Sequence, residues 1–317
     1  PLQADLIIRG GTVYDGTGGE PFVADLAIRG DSIIAIGSLG ESCRGLKEID
    51  AAGMAVSPGF INMLSWAQEA LIEDGRSQSN IRQGVTLEVM GEGESMGPLN
   101  EKMKQDLKAR QADIRYGIEW TTLGEYLQFL ERRGVSTNVA SFIGAATPRI
   151  HVLGYEDRAP SPDELERMKE LTAQAMAEGA MGVSSSLIYM PGSFSSTGEL
   201  TALASVAAQH GCIYISHLRS EGNRFLEALD EFLEIARGSG ARSEIYHFKA
   251  AGEVNYGKLE EAIAKIEKAR GEGLHVTADM YPYAAAATGL YAAMPTWVQE
   301  GGFDAWVERQ TRPPAPR

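Results

Sequence analysis

Short apolar runs recur about every thirty residues through the second half of the chain. Val183, Ile215, Ile245 and Thr277 mark four of these runs. Between them lie glycine-rich or polar loops and amphipathic stretches with helical spacing. A strand and a helix within about thirty residues form the repeating unit of a parallel α/β sheet. This cadence therefore predicts a (β/α) barrel.

The strand pattern starts near Pro58 and gives seven candidate strands. They lie at residues 59–63, 85–90, 139–144, 181–185, 213–216, 244–246 and 276–278. One more helix is expected around 304–310, and the proline-rich residues 311–317 cannot form a central strand. We therefore expect residues 58–317 to form a (β/α)8-type TIM barrel that is incomplete, with about seven strands, and truncated before the eighth.

In residues 1–57 short apolar runs alternate with turns, and this pattern predicts a separate small β unit. Apolar runs at 5–9, 24–29 and 32–37 each adjoin glycine-containing turns.

The helix expected at 161–178 begins with Ser161 and Pro162, a typical N-cap followed by proline at the first helical position. The chain starts at Pro1 rather than methionine, so we expect that an upstream segment has been removed.

Charge and composition narrow the class of partner. A formal net charge of −14 repels nucleic acid and anionic lipid, and no apolar run reaches the length of a membrane span. We expect a soluble protein with a small-molecule substrate, and the compartment and oligomeric state stay open. Cys43 and Cys212 are far apart in the sequence, which favours two buried free thiols over a disulfide or a thiolate zinc site.

Two of the five histidines directly follow apolar strands. His217 and His247 would open onto the carboxyl ends of neighbouring strands, where catalytic groups of a parallel barrel lie. Two imidazoles there predict a zinc site, and the alternative is a pair of hydrogen-bonded residues that line a pocket without a metal. His151 in a loop, His210 at a helix end and His275 before a strand are expected to be structural.

Acidic and basic residues near the same strand ends are further candidates. Glu92 follows the second strand in a glycine-rich turn and is a possible third metal ligand, or part of an exposed acidic loop. Arg219 and Lys249 each lie two residues after a candidate histidine, so they are expected either to bind a substrate carboxylate or to form salt bridges. Asp279 ends the seventh strand and could contact substrate or metal.

Several motifs, in the right order along the chain, resemble the amidohydrolase superfamily and its N-acyl-D-amino-acid deacylase (D-aminoacylase) branch. They are DLIIRGGTVYDG at 5–16, VSPGFIN at 56–62, YMPGSF at 189–194, SHLRSEG at 216–222, HFK at 247–249 and DMYPY at 279–283. The resemblance implies a barrel with a small N-terminal β-sandwich unit, zinc held by His217 and His247, and amide hydrolysis. It also implies that Tyr189 and Lys249 orient the substrate.

The chain departs from the pattern of this branch at four places. Leu64 and Trp66 stand where a His-x-His motif is expected, and Glu92 lies in the loop of an expected cysteine ligand. A histidine is absent after the third strand, and so is the eighth-strand aspartate that serves as general base. The catalytic residue therefore stays unassigned, and we expect one zinc ion rather than two.

Three functions fit these observations. The first is a metal-dependent amidohydrolase acting on N-acyl-D-amino acids or related small amides. The alternative is a catalytically impaired or non-catalytic barrel that binds an acylated amino acid or peptide. A third is hydrolysis of another bond, such as a cyclic imide or a small ester, because one fold hosts many reactions.

Overall fold

The computed structural model describes residues 3–40, 42–283 and 285–311. The chain divides into two compact units, Pro1–Phe60 and Ile61–Arg317. This division lies close to the boundary expected after residue 57. The start of the chain and the proline-rich residues 312–317 lie outside the described residues.

The first unit is built on one mixed sheet within the described residues. Its strands are β1 (Gln3–Val13), β2 (Phe22–Arg29), β3 (Ser32–Gly37), β4 (Arg44–Asp50) and β5 (Ala55–Val56). The order is β3-β2-β1-β4, with β5 paired to β1, and β1 runs antiparallel to β2 and parallel to β4. Ile7, Ala27 and Cys43 are buried against one another. These strands lie within the predicted β unit, whose bounds and sandwich form stay predictions.

From Phe60 onwards the described chain has strand segments at all seven predicted positions. They are β6 (Phe60–Asn62), β7 (Val85–Met90), β8 (Asn138–Ser141), β9 (Ile143–Gly144), β10 (Gly182–Ser186), β11 (Ile213–His217), β12 (Arg242–Ile245) and β13 (Val276–Ala278). In the described residues they form two sheets, β6-β7-β8 and β13-β12-β11-β10-β9. The pairs from β9 to β13 are parallel, as is β7 with β8. The predicted parallel α/β architecture is thus confirmed.

The third predicted strand passes from one sheet to the other at Phe142. The amide of Phe142 still donates to the carbonyl of Met90 at 2.9 Å, which continues the pairing with β7. The next residue, Ile143, pairs instead with Val183 of β10. One continuous run, predicted as 139–144, therefore appears as β8 and β9 and connects the two sheets.

Helices follow most of these strands, as the sequence rhythm predicts. They are α1 (Ala70–Glu73), α2 (Gln78–Ile81), α3 (Glu101–Arg110), α4 (Leu123–Arg133), α5 (Ala146–Leu153), α6 (Pro162–Ala177), α7 (Thr197–Gln209), α8 (Phe225–Ser239), α9 (Leu259–Gly271), α10 (Thr296–Gln299) and α11 (Phe303–Thr311). Ser161 caps α6 in a reciprocal capping box with Glu164, and Pro162 is its first residue, as predicted. Among the described residues, no helix has the length and apolarity to cross a membrane.

A buried ion pair connects α5 with α7. Arg149 is completely buried, and its Nη1 lies 2.7 Å from Oε2 of Glu199. Its Nη2 donates to the carbonyls of Glu156 and Arg158, while Ser195 Oγ donates to Glu199. Burying two opposite charges is tolerated because each is paired and hydrogen-bonded, and loss of one partner leaves the other charged and desolvated.

We expect Glu199→Ala to lower the free energy of unfolding by about 3–5 kcal/mol, because Arg149 would stay buried without its counter-charge. Urea denaturation of the full chain measures the change. The matched control is Glu166→Ala, which removes an exposed carboxylate paired with Lys169 at 2.7 Å and should cost less than about 1 kcal/mol. Equal effects of the two substitutions would contradict a stabilising role for the buried pair.

Candidate metal centre

Three strand ends bring together the ligands predicted from the sequence. Glu92 follows β7, His217 is the last residue of β11, and His247 follows β12. One ligand atom from each of the three lies within 4.8 Å of the others. The carboxyl ends of parallel strands meet at one edge of a sheet, so the position after the strand is what unites these residues.

Two glycines shape the turn that carries Glu92. Gly91 has φ of +95° and Gly93 has φ of +67°, conformations that side chains with a Cβ rarely adopt. A Cβ at Gly91 would lie 2.3 Å from the carbonyl oxygen of Phe142, and one at Gly93 would lie 2.7 Å from Cβ of Ser186. Both positions therefore need glycine for the turn to pack against β8–β10.

The carboxylate of Glu92 is buried at the centre of this group, with only 6% of the side chain exposed. Its Oε1 lies 3.1 Å from Nδ1 of His217 and 3.9 Å from Nε2 of His247. Ser186 Oγ donates to the same oxygen at 3.2 Å. The alternative of an exposed acidic loop at Glu92 is therefore wrong.

Glu221 fixes the tautomer of His247. Nδ1 of His247 lies 2.9 Å from Oε1 of Glu221, which also accepts from Nζ of Lys249 at 2.7 Å. Nζ of Lys249 lies 3.0 Å from the same Nδ1, but it donates to Glu221 and to the carbonyl of His247. An ionised carboxylate can only accept, so with the proton on Nδ1 the Nε2 atom presents its lone pair towards Glu92. Burial would raise the pKa of Glu221, but the hydrogen bonds from His247 and Lys249 hold it below its ordinary value.

The backbone of His247 is held in an unusual conformation. Its φ is +37°, and its amide donates to Oδ1 of Asp279 at 2.5 Å. Burial raises the pKa of Asp279 above its ordinary value, against the opposing effect of this hydrogen bond. Asp279 thus anchors the ligand loop from the end of β13.

Nε2 of His217 indicates that this group suits a metal ion. The atom is buried and has no hydrogen-bond partner among the described residues. The rings of His217 and His247 lie 4.5 Å apart and nearly perpendicular. A buried nitrogen without a partner is costly, and two imidazoles with one carboxylate form a donor set that zinc prefers. The residues present therefore fit zinc.

The two cations predicted to meet a substrate carboxylate are engaged elsewhere. Arg219 contacts Glu231 through Nε and Nη2, and it donates to the carbonyls of Ser193 and Ser195. Lys249 donates to Glu221 and to the carbonyl of His247. The salt-bridge alternative describes both residues in this structure, and their contact with substrate stays a prediction.

Tyr189 lies beside the metal group on the wall of a cavity of about 330 Å³. Its ring is 5.5 Å from that of His217, and its hydroxyl is 2.7 Å from Oγ1 of Thr288. Glu92 and Trp66 line the same cavity. Tyr189 is therefore placed where a substrate next to the metal group would meet it.

A network of neutral donors occupies the region where His-x-His is expected. Glu88 is completely buried and accepts from Ser65 at 2.7 Å, Asn80 at 2.9 Å and Thr137 at 3.0 Å, and also from Ser77. These bonds connect the end of β6 to α2 and β7. The sequence signal for this network is Glu88 itself, an acidic residue inside the otherwise apolar run 85–90, and it was not among the predicted site residues.

The remaining histidines lie outside the metal group. His151 lies within α5, so its expected loop position is wrong. His210 caps the carboxyl end of α7, and His275 precedes β13, as predicted. Glu221, by contrast, lies in the SHLRSEG motif but was not assigned from the sequence, because its partner His247 is far away along the chain.

No protein-family model matches the sequence. The N-acyl-D-glutamate deacylase of Alcaligenes xylosoxydans xylosoxydans is 34% identical over 90% of this chain and 58% of its own length. A crystal structure of a D-aminoacylase superposes with a TM-score of 0.78 at 35% identity, over 90% of this chain and 60% of that one. The N-acyl-D-glutamate deacylase of Bordetella bronchiseptica, solved with zinc and a phosphonate inhibitor, gives 0.78 at 31% identity, over 89% and 59%.

The chain thus spans about three fifths of the length of these relatives. Within that span both the sequence and the fold agree with them. The resemblance predicted from the motifs is therefore confirmed, and the chain is a relative of the N-acyl-D-amino-acid deacylases of the D-aminoacylase branch of the amidohydrolases.

Proposed function

We propose that this chain carries the metal-binding part of a hydrolase that cleaves the amide bond of N-acyl-D-amino acids or related small amides. The observation that carries the proposal is the convergence of Glu92, His217 and His247 within 4.8 Å. The deacylase activities of the relatives and the zinc in the Bordetella structure support it. The seven strand positions support a (β/α)8 barrel as the complete fold, with residues 1–57 contributing to a β-sandwich.

One zinc ion is the cofactor in this proposal. Glu92, His217 and His247 would hold it, while Leu64 and Trp66 offer no ligand atoms for a second ion at the end of β6. Zinc bound here would polarise the carbonyl of an amide and make a water molecule more acidic. Lewis-acid catalysis of this kind would accelerate amide hydrolysis at neutral pH.

The protein's own groups orient the reactants. Glu221 keeps the proton of His247 on Nδ1, so that Nε2 stays a ligand. Tyr189, next to His217, can donate its hydroxyl proton to an oxygen of the substrate. The cavity of about 330 Å³ has the size of a small-molecule site, and aromatic side chains such as Trp66 and Tyr291 provide apolar walls.

Metal content is the first test of this function. We expect the dialysed full chain to retain about one zinc per molecule, because two imidazoles and a carboxylate bind it together. His217→Ala should lose that zinc, measured by elemental analysis, while His210→Ala, an exposed helix-end control, should keep it. Absence of zinc even after it is supplied would reject the hydrolase and favour the non-catalytic binding barrel.

Glu221→Gln should weaken zinc binding about 10- to 100-fold, the usual cost of losing the carboxylate behind a ligating histidine. The amide can no longer fix the proton on Nδ1 of His247 with a charge-assisted bond. Competition with a chelating dye measures the dissociation constant. Glu227→Gln removes an exposed carboxylate of α8 and should leave zinc affinity unchanged; an identical affinity for both variants would show that Glu221 does not position the ligand.

A further inference from the structure

The cavity beside the metal group has an uneven distribution of charge. Glu92 and Glu94 both line it, so two carboxyl groups face a ligand in this cavity. Among the described lining residues, Arg110 is the single cationic side chain. Neither Arg219 nor Lys249 lines this cavity, and both are paired with glutamates.

Arg110 is presented by the carboxyl end of α3. It is the last residue of that helix, where the helix dipole favours a positive charge. Its guanidinium carbon lies 5.5 Å from the centre of the Tyr155 ring and 6.0 Å from that of Phe303. Both aromatic residues also line the cavity. Two rings therefore hold the guanidinium plane while its edges stay available for hydrogen bonds.

The donors of Arg110 are largely free. Nη1 donates to the hydroxyl of Tyr155 at 3.3 Å, a long bond to a neutral acceptor. In the part of the chain that the structure describes, no carboxylate lies within ion-pair distance of this side chain. Glu94 and Asp106 attract it only from a greater distance. An arginine on a cavity wall whose one described hydrogen bond is long can still present its fork to a carboxylate ligand.

We propose that Arg110 binds a carboxylate of the substrate and thereby makes the site selective for N-acyl amino acids over neutral amides. This inference rests on the proposed function, because it places the amide at the metal group and the carboxylate at Arg110. Aromatic side chains that line the same cavity, including Trp306, would contact the carbon skeleton. The bound group is either the α-carboxylate or a side-chain carboxylate of the amino-acid half, and the same fork accepts both.

Three ligands with one carbon skeleton separate these cases. N-acetyl-D-glutamine carries the α-carboxylate, N-acetyl-D-isoglutamine carries the side-chain carboxylate, and N-acetyl-D-glutamine amide carries neither. Calorimetric titration of the full chain, as purified and after chelation of metal, gives their affinities without depending on turnover. We expect at least one anion to bind about tenfold more tightly than the diamide, since Arg110 supplies a charge-assisted hydrogen bond.

Arg110→Ala should abolish that preference and leave the affinity for the diamide within about twofold. Arg110→Lys should restore only part of it, because an ammonium lacks the planar fork. Lys108→Ala removes one exposed positive charge from the same helix, away from the cavity, and should keep the full preference. Thermal melting of each variant checks that the fold is intact.

The anion that loses affinity in Arg110→Ala identifies the source of the carboxylate. The proposal is overturned if wild type does not prefer either anion, if Arg110→Ala keeps the preference, or if Lys108→Ala loses it equally. An anion preference that depends on Arg110 in a protein that binds no zinc and hydrolyses no amide would reject the proposed function and retain this site. If the protein hydrolyses the amide but its Arg110→Ala variant keeps the anion preference, the proposed function is retained and the Arg110 site is rejected.

Discussion

The site depends on the burial of one carboxylate, that of Glu92. A buried carboxylate is expensive unless donors surround it, and here Ser186 and His217 lie within hydrogen-bond distance of one oxygen, while Nε2 of His247 faces the same oxygen from 3.9 Å. These partners come from β10, β11 and the end of β12, so strands remote in sequence are tied to one point. The glycine turn at 91–93 makes this possible, because a larger residue would push Glu92 away from β10.

The regions on either side of Glu92 are held by different kinds of interaction. On the His247 side, the supports are charged: Glu221 and Lys249 behind the imidazole, and Asp279 under the backbone. On the β6 side, Glu88 is surrounded by hydroxyl and amide donors instead. Order at the end of β6 therefore comes from hydrogen bonds between protein groups, which is consistent with a single ion at the centre.

The sequence predicted the strands and the ligand group for the same physical reason. Alternation of strand and helix sets the direction of each strand, and a residue directly after a parallel strand must emerge at the shared edge. Glu92, His217 and His247 could be united by that rule alone. The rule does not predict the direction of a side chain, so it did not predict the salt bridge between Arg219 and Glu231 of α8. Arg110 lies at a helix end rather than a strand end and had no signal in the sequence.

The backbone at His247 has a consequence for how this position can change. With φ of +37°, the residue occupies a region where glycine is the most comfortable choice. Glycine would relax the chain, yet it would remove the imidazole that faces Glu92. Selection for a stable loop and selection for a working centre therefore pull in opposite directions at this residue. A relative or a laboratory-evolved variant that no longer needs the metal would not be under selection to keep this imidazole. We would expect the histidine at position 247 to be replaced early in such a protein, with a gain in thermal stability.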